Sequence, residues 1–276
     1  MSHDLWRPAK ARTLELRCGS QKLVCELRGK GPPLLLLHGW TLDQRMFTPQ
    51  FDAFSQKFLT ISFDRRGYGK SGGTPDLGRE LEDIDTITEA LCEGEVPHLL
   101  GMSQGGRIAL RYAITRPGQL RSLILQGPAL DQYAAPERDD ERVPMEHYAE
   151  LARAGELAAL RRQWLAHPKM RRGIGETAYR LLKSILEDYD GADLLTMRGD
   201  SLDFSKDVLS ALTRVNVPTL IVTGSEETEA RKQVAAKILE LMPEAEEVTL
   251  EGCGHMSNLG DPVSYNQRVL GFLARH

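Results

Sequence analysis

Ser103 sits in Gly101-Met102-Ser103-Gln104-Gly105, a fit to G-x-S-x-G. That spacing exposes a nucleophilic serine on a sharp strand-to-helix turn. Small residues are needed on both sides of the serine, because the chain reverses tightly there and a Cβ would meet neighbouring backbone. A serine hydroxyl is a poor nucleophile near pH 7. It needs a base within hydrogen-bond reach, and the base needs a third group to orient it. Both are available downstream. His255 lies in Glu251-Gly252-Cys253-Gly254-His255, where the glycines allow a turn that carries the ring toward Ser103. Before it comes Gly224-Ser225-Glu226-Glu227-Thr228-Glu229. Three glutamates at a helix start ordinarily face water near the positive end of the helix dipole. One of the three is expected to orient His255 instead.

These residues need elements to position them. His98 to Met102 reads as a short buried strand, and Gly106 to Thr115 as a helix, with Ile108/Tyr112 and Ala109/Ala113 at i, i+4 spacing. Strand, turn and helix are the setting the serine motif requires. Upstream, Thr13–Cys18 and Leu23–Leu27 read as a hairpin around Gly19-Ser20. Pro33–Leu37, apolar on both sides, suits a central strand covered on both faces. Leu42–Phe54 reads as a helix, Phe58–Phe63 as a strand, Glu80–Leu91 as a helix and Leu120–Leu125 as a strand. The rhythm then breaks. Residues 131–206 carry helical patterns over Met145–Ala154, Leu157–Trp164 and Thr177–Leu186, after a polar stretch, Pro136–Arg142, expected to be a mobile loop. Strand signal returns at Pro218–Thr223, followed by a helix at Glu229–Leu241 and a strand at Glu247–Leu250. A last helix has Asp261 as N-cap and Pro262 at its first position. Alternating strands and helices imply a mostly parallel sheet covered on both faces. The expected organisation is a core from residues 1–130 and 207–276 with an inserted helical segment at 131–206.

Composition is consistent with that. The chain has 276 residues, 41% hydrophobic and 27% charged, enough for a large core. A net charge of -4 gives no pull toward nucleic acid or anionic membrane. The apolar run Leu34–Leu37 is far too short to span a bilayer. Met1–Thr13 lacks the apolar stretch of a signal peptide. Cys18, Cys25, Cys92 and Cys253 form no C-x-x-C pair and no metal-spaced cluster with histidine. They are read as free thiols in a reducing cytoplasm, and neither metal nor cofactor is expected. Cys253 is a lesser candidate nucleophile beside Ser103.

The chain resembles the α/β-hydrolase superfamily over nearly its whole length. The resemblance rests on four motifs in the family's order. His38-Gly39-Trp40 resembles the oxyanion loop after the third strand. Asp64-Arg65-Arg66-Gly67-Tyr68-Gly69-Lys70-Ser71 resembles the D-x-R-G-x-G-x-S loop. Gly101–Gly106 resembles the nucleophile elbow, and Gly252-Cys253-Gly254-His255 the histidine loop. The resemblance implies an eight-stranded, mostly parallel sheet with a helical cap inserted after the sixth strand. It also implies a Ser103, acid, His255 triad. The family's acid, commonly aspartate, stands three residues after the glycine ending the seventh strand; counting from Gly224 gives Glu227. Glu226 is the neighbouring candidate, and Asp131, after the sixth strand, a substitute location. The backbone N–H groups of Trp40 and Gln104 are implied as the oxyanion hole.

Around these, His38 is expected to brace its loop, and Asp64 and Arg66 to hold theirs. Trp40, Arg107 and Trp164 are candidate pocket residues. Arg107 either meets an acidic substrate or lies on the helix flank. Arg161, Arg162, Arg171 and Arg172 are read mainly as a solvated face and otherwise as a site for a carboxylate substrate; Trp164, Met170 and Tyr179 as core packing or pocket roof. The expected function is a serine hydrolase of small esters or lactones acting through an acyl-enzyme, with a small-molecule substrate, no nucleic-acid or membrane partner, and either a monomer or a homodimer as its assembly. The same triad also serves carbon–carbon hydrolases and lyases acting on keto acids, and slow-turnover receptors of this fold. The serine in place of aspartate argues against dehalogenase and epoxide hydrolase chemistry.

Overall fold

Four short apolar runs form the centre of the sheet, and every residue in them is buried. They are β3 (Pro33–Leu37), β5 (His98–Met102), β6 (Ser122–Gln126) and β7 (Thr219–Gly224). The computed structural model describes residues 11–133, 135–196 and 208–276. The remaining strands are β1 (Arg12–Cys18), β2 (Gln21–Arg28), β4 (Leu59–Phe63) and β8 (Ala245–Leu250). The sheet order is β1-β2-β4-β3-β5-β6-β7-β8. β2 pairs antiparallel with β1 and β4, and all other pairs are parallel. The doubly covered, mostly parallel eight-stranded sheet is therefore the one the sequence predicts.

Side chains alternate between the two faces, as a strand's period of two requires. Leu34, Leu36, Leu100, Met102, Ile124, Leu220 and Val222 join one core. Leu35, Leu37, Leu99, Leu123, Leu125 and Ile221 join the other. Each such leucine taken out of water contributes about 1.5–3 kcal/mol. The first core is covered by α1 (Thr48–Phe54) and by two helices near the C-terminus described below. The second is covered by α2 (Glu80–Leu91) and α3 (Gln104–Thr115).

Between β6 and β7 lie α4 (Met145–Arg153), α5 (Leu157–Ala166), α6 (Pro168–Arg171), α7 (Glu176–Asp188), α8 (Ala192–Thr196) and α9 (Val208–Leu212). The apolar residues of α4, α5 and α7 are continuous with the first core. α10 (Glu229–Leu241) links β7 to β8. α11 (Ser257–Gly260) and α12 (Pro262–Leu273) close the chain, and Asp261 caps α12 by accepting from Ser264 N at 3.0 Å. Among the described residues, no helix is long and apolar enough to cross a membrane. The sequence reading of Met1–Thr13 falls largely outside the described residues.

Three local differences from the sequence reading have physical causes. The helix expected over 42–54 is broken. A 3-10 turn over Gln44–Phe47, capped by Asp43, precedes α1, whose first turn holds Pro49. Proline has no N–H to continue a preceding α-helix. α3 starts at Gln104, two residues early, because the turn at Ser103 places Gly105 and Gly106 in helical conformation despite glycine's low propensity. The 136–142 stretch, read as a mobile loop, is irregular but anchored: Glu137 bonds Lys169, and Glu141 bonds Arg172.

Candidate active site

The serine motif forms the turn its glycines demand. Ser103 has φ 53° and ψ -111°, between β5 and α3. A non-glycine residue at positive φ is strained and has to be held by its surroundings. The surroundings are close. A Cβ on Gly101 would lie 2.7 Å from Cα of Gly106, and one on Gly105 would lie 2.6 Å from the His38 carbonyl oxygen. Ser103 N donates to the Gln126 carbonyl at 2.8 Å, which ties the turn to the end of β6. The positive end of α3 begins at the next residue, so partial positive charge faces the region beside Ser103.

His255 follows β8 and is buried. Its Nδ1 lies 2.5 Å from Oε2 of Glu227, three residues past the end of β7. Oε1 of the same carboxylate accepts from Thr228 N at 2.7 Å. Burial alone pushes the Glu227 carboxyl up. The His255 ring, the Thr228 N–H and the Arg231 charge outweigh burial and hold it below the ordinary carboxylate value. Glu226 is exposed and uses only its backbone N–H here, toward the Cys253 carbonyl. Asp131 is engaged elsewhere: Arg107 and Arg111 both bond it and keep it ionised. Among the described residues, Ser103 Oγ makes no hydrogen bond to the His255 ring. The two meet as walls of one cavity of about 400 Å³. Catalytic hydrogen bonds in substrate-free sites are commonly long.

The same cavity is lined by Trp40, Gln104, Arg107 and Trp164, all expected near the site. Val143, Met145, Lys169, Asp193 and Leu194 reach it from the segment between β6 and β7. Trp164 is both core and wall; its Nε1 donates to Thr41 Oγ1 at 2.7 Å. Trp40 Nε1 donates to Asp193 at 2.5 Å, and Tyr189 OH donates to the other oxygen of that carboxylate at 2.7 Å. Met170 is pure core. Tyr179 is partly buried against the first core, with Arg171 over its ring. Arg161, Arg162, Arg171 and Arg172 do not line the cavity. Cys253 is buried with its thiol pushed up, which suppresses the thiolate a nucleophile needs.

Several residues that shape the site escaped the sequence reading. Arg65 is fully buried. It forms a two-pronged ion pair with Glu80 of α2 at 2.6 and 2.8 Å, and donates to the carbonyls of His38 and Gly39 and to Gln104 Oε1. His38 braces the loop as expected. Its Nε2 accepts from Arg65 N, so Nδ1 is the donor to the Gly39 carbonyl, and burial keeps the ring neutral. Asp64 accepts from Gln44 N and Lys70 N, and Arg66 pairs with Asp83. Gln126, at the end of β6, donates to the His255 carbonyl. Gly127 follows it at φ 48°. A Cβ there would lie 2.8 Å from both Nδ1 and Cε1 of His255. Lys169 and Arg231 add two cations to the wall. One signal was available for Arg65: Glu80 and Asp83 share a face of α2 with Ile84 and Ile87, so they had to find buried cations.

Residues 34–268 match the family model described as the alpha/beta hydrolase family. The chain belongs to that family. It is similar at 24% identity over 254 residues to (E)-2-((N-methylformamido)methylene)succinate hydrolase of Acinetobacter baylyi, covering 89% of this chain and 92% of that one. It is 22% identical over 262 residues to pimeloyl-[acyl-carrier protein] methyl ester esterase of Nitrosospira multiformis, covering 92% and 99%. Its fold matches an esterase from Exiguobacterium antarcticum with TM-score 0.77 at 22% identity, covering 92% and 96%. Like the curated relatives named, this α/β hydrolase is an enzyme of the hydrolase class.

Proposed function

We propose that this α/β hydrolase cleaves a small carboxylic ester or lactone through an acyl-enzyme on Ser103. The observation that carries the reading is the buried His255–Glu227 bond at 2.5 Å, which shares one cavity with the strained serine turn. In this reading His255 removes the Ser103 hydroxyl proton as Oγ attacks the ester carbonyl. The ring's other nitrogen faces Glu227, whose ionised carboxylate fixes the tautomer and stabilises the imidazolium. Negative charge grows on the carbonyl oxygen. The N–H groups of Trp40 and Gln104 carry it; among the described residues neither has a backbone acceptor, and both residues line the cavity. Each such donor is worth roughly 100- to 1000-fold in rate. Collapse breaks the ester C–O bond, and His255 returns the proton to the departing alcohol. Water then attacks the acyl-enzyme, and the same ring shuttles its proton back to Ser103.

The helices between β6 and β7 act as the cap over the site, a reading supported by the cavity residues they and their connections supply, Glu137, Val143, Met145, Trp164, Lys169 and Leu194 among them. Four buried free cysteines suit a cytoplasmic setting. The test is labelling by a fluorophosphonate combined with pre-steady-state hydrolysis of a p-nitrophenyl ester. Labelling of Ser103 and a burst followed by sustained turnover are expected. A burst with negligible turnover would point to a binding protein, and absence of labelling would remove Ser103 as nucleophile.

A further inference from the structure

The cavity beside Ser103 holds a cation with no carboxylate in contact with it among the described residues. Three cationic side chains line it: Arg107, Lys169 and Arg231. Arg107 is paired with Asp131, and Lys169 with Glu137. Arg231, in the first turn of α10, differs from both. Its guanidinium donates to the Pro128 carbonyl at 3.0 Å, and among the described residues no carboxylate lies in ion-pair contact with it. Each guanidinium carries five N–H donors, so donors remain on this cavity-lining side chain beyond the bond to Pro128. Burial disfavours the charge on Arg231 most, and Glu227 and Glu137 favour it from a distance while Arg107 opposes it; burial and Arg231 likewise disfavour the charge on Lys169. An anion arriving in contact with Arg231 would offset the burial of its charge.

The acids of the wall and its surroundings do not fill that role: Glu137 is paired with Lys169, and Asp76 accepts from Gly78 N. Asp193 accepts from Trp40 and Tyr189, and burial pushes its carboxyl up, which favours the neutral form. Glu227 feels the Arg231 charge but gives both oxygens to His255 and Thr228. An incoming carboxylate would match the guanidinium in shape and charge, accepting two parallel N–H bonds.

We propose that the substrate carries a carboxylate that docks on Arg231, with Lys169 beside it, while its ester carbonyl meets Ser103. The substrate class is then a monoester of a dicarboxylic acid, or an ester whose alcohol half bears the acid. The inference rests on the serine-hydrolase reading and narrows its substrate.

The experiment compares matched aryl esters on the full chain. One pair is the p-nitrophenyl monoester of glutaric acid against p-nitrophenyl pentanoate. The other is 4-acetoxybenzoate against phenyl acetate. In at least one pair, kcat/KM for the anionic ester should exceed that of the neutral one by roughly 10- to 100-fold, the range of a single hydrogen bond to a charged group. Arg231→Gln should collapse that ratio toward one, and Arg231→Lys should retain part of it. Lys169→Gln should lower it less, because Glu137 already offsets that charge. Fluorophosphonate labelling of Ser103 is read in parallel on every variant. Labelling and turnover of neutral esters with no anionic preference in either pair overturn the inference and leave the hydrolase reading standing. Equal losses on both members of a pair in Arg231→Gln also overturn it, making Arg231 a counter-charge for Glu227. Loss of labelling in the unmodified protein marks failure of the hydrolase reading itself.

Discussion

Replacing Glu227 by glutamine keeps the side chain's shape and removes its charge. In the unmodified site the carboxylate lies 2.5 Å from Nδ1 of His255, and both side chains are almost wholly buried, at 2% and 4% exposure. When His255 takes the serine proton, two opposite charges face each other about 4 Å apart between centres. With an effective dielectric constant near 20, that is about 4 kcal/mol. At 1.36 kcal/mol per tenfold, the loss is about three orders of magnitude in rate. An amide can also donate to Nδ1 and hold the wrong tautomer, which brings the loss in a serine triad to about 10⁴. The assay is kcat/KM on an aryl ester, normalised to the fraction of protein that fluorophosphonate can label. Glu226→Gln is the control. That side chain is exposed and should change kcat/KM by less than about threefold. Retention of activity within tenfold in Glu227→Gln, or a large loss only in Glu226→Gln, would refute the assignment of the acid.

Three further perturbations follow from the same geometry. Gly127→Ala should lower kcat by at least about 100-fold and destabilise by about 1–3 kcal/mol, since its methyl meets the His255 ring and its φ is 48°; kinetics and urea melts check both, and a silent variant would show that the ring is not held from this side. Arg65→Met should cost about 3–5 kcal/mol by leaving Glu80 buried and alone. The double variant Arg65→Met with Glu80→Leu should recover most of the stability but not the activity, because the bonds to the His38 and Gly39 carbonyls stay lost. Recovery of both would show Arg65 to be a packing residue only. Burial pushes the Asp64 carboxyl up to about 6. A carboxyl raised on folding contributes stability that is fully present below its unfolded value of about 4 and lost as pH rises through about 6, to a total on the order of 3 kcal/mol. Asp64→Asn should flatten the thermal-melt curve over that window, and an unchanged slope would exclude Asp64 as its source.

Much of the fold was legible because the central strands are continuous apolar runs flanked by glycine, and their length separates them from helices. The serine, the histidine and the candidate acid were legible for a related reason: each sits on a tight turn at a strand end, so its local sequence carries the signal. Arg65 and Arg66 show where that ends. They are neighbours of identical type, yet one reaches Glu80 and the carbonyls of His38 and Gly39 while the other reaches Asp83. Only the packing of α2 against the loop separates them. Gly127 was invisible for the same reason. Its constraint comes from a histidine 128 positions away, delivered by the parallel pairing of β6 with β7 and β7 with β8. Arg231 and Lys169 look like ordinary surface charges in one dimension, since nothing local reports a shared cavity.

Two indole hydrogen bonds, Trp40 to Asp193 and Trp164 to Thr41, join the loop after β3 to the helical layer. Their consequence is kinetic. An outward swing of that layer, if the proposed reaction uses one to release product, would break both bonds and slacken the loop at that moment. The enzyme is then not free to tune admission and bond cleavage separately. A change that loosens these two contacts should speed exchange and weaken the chemical step together, moving KM and kcat as one.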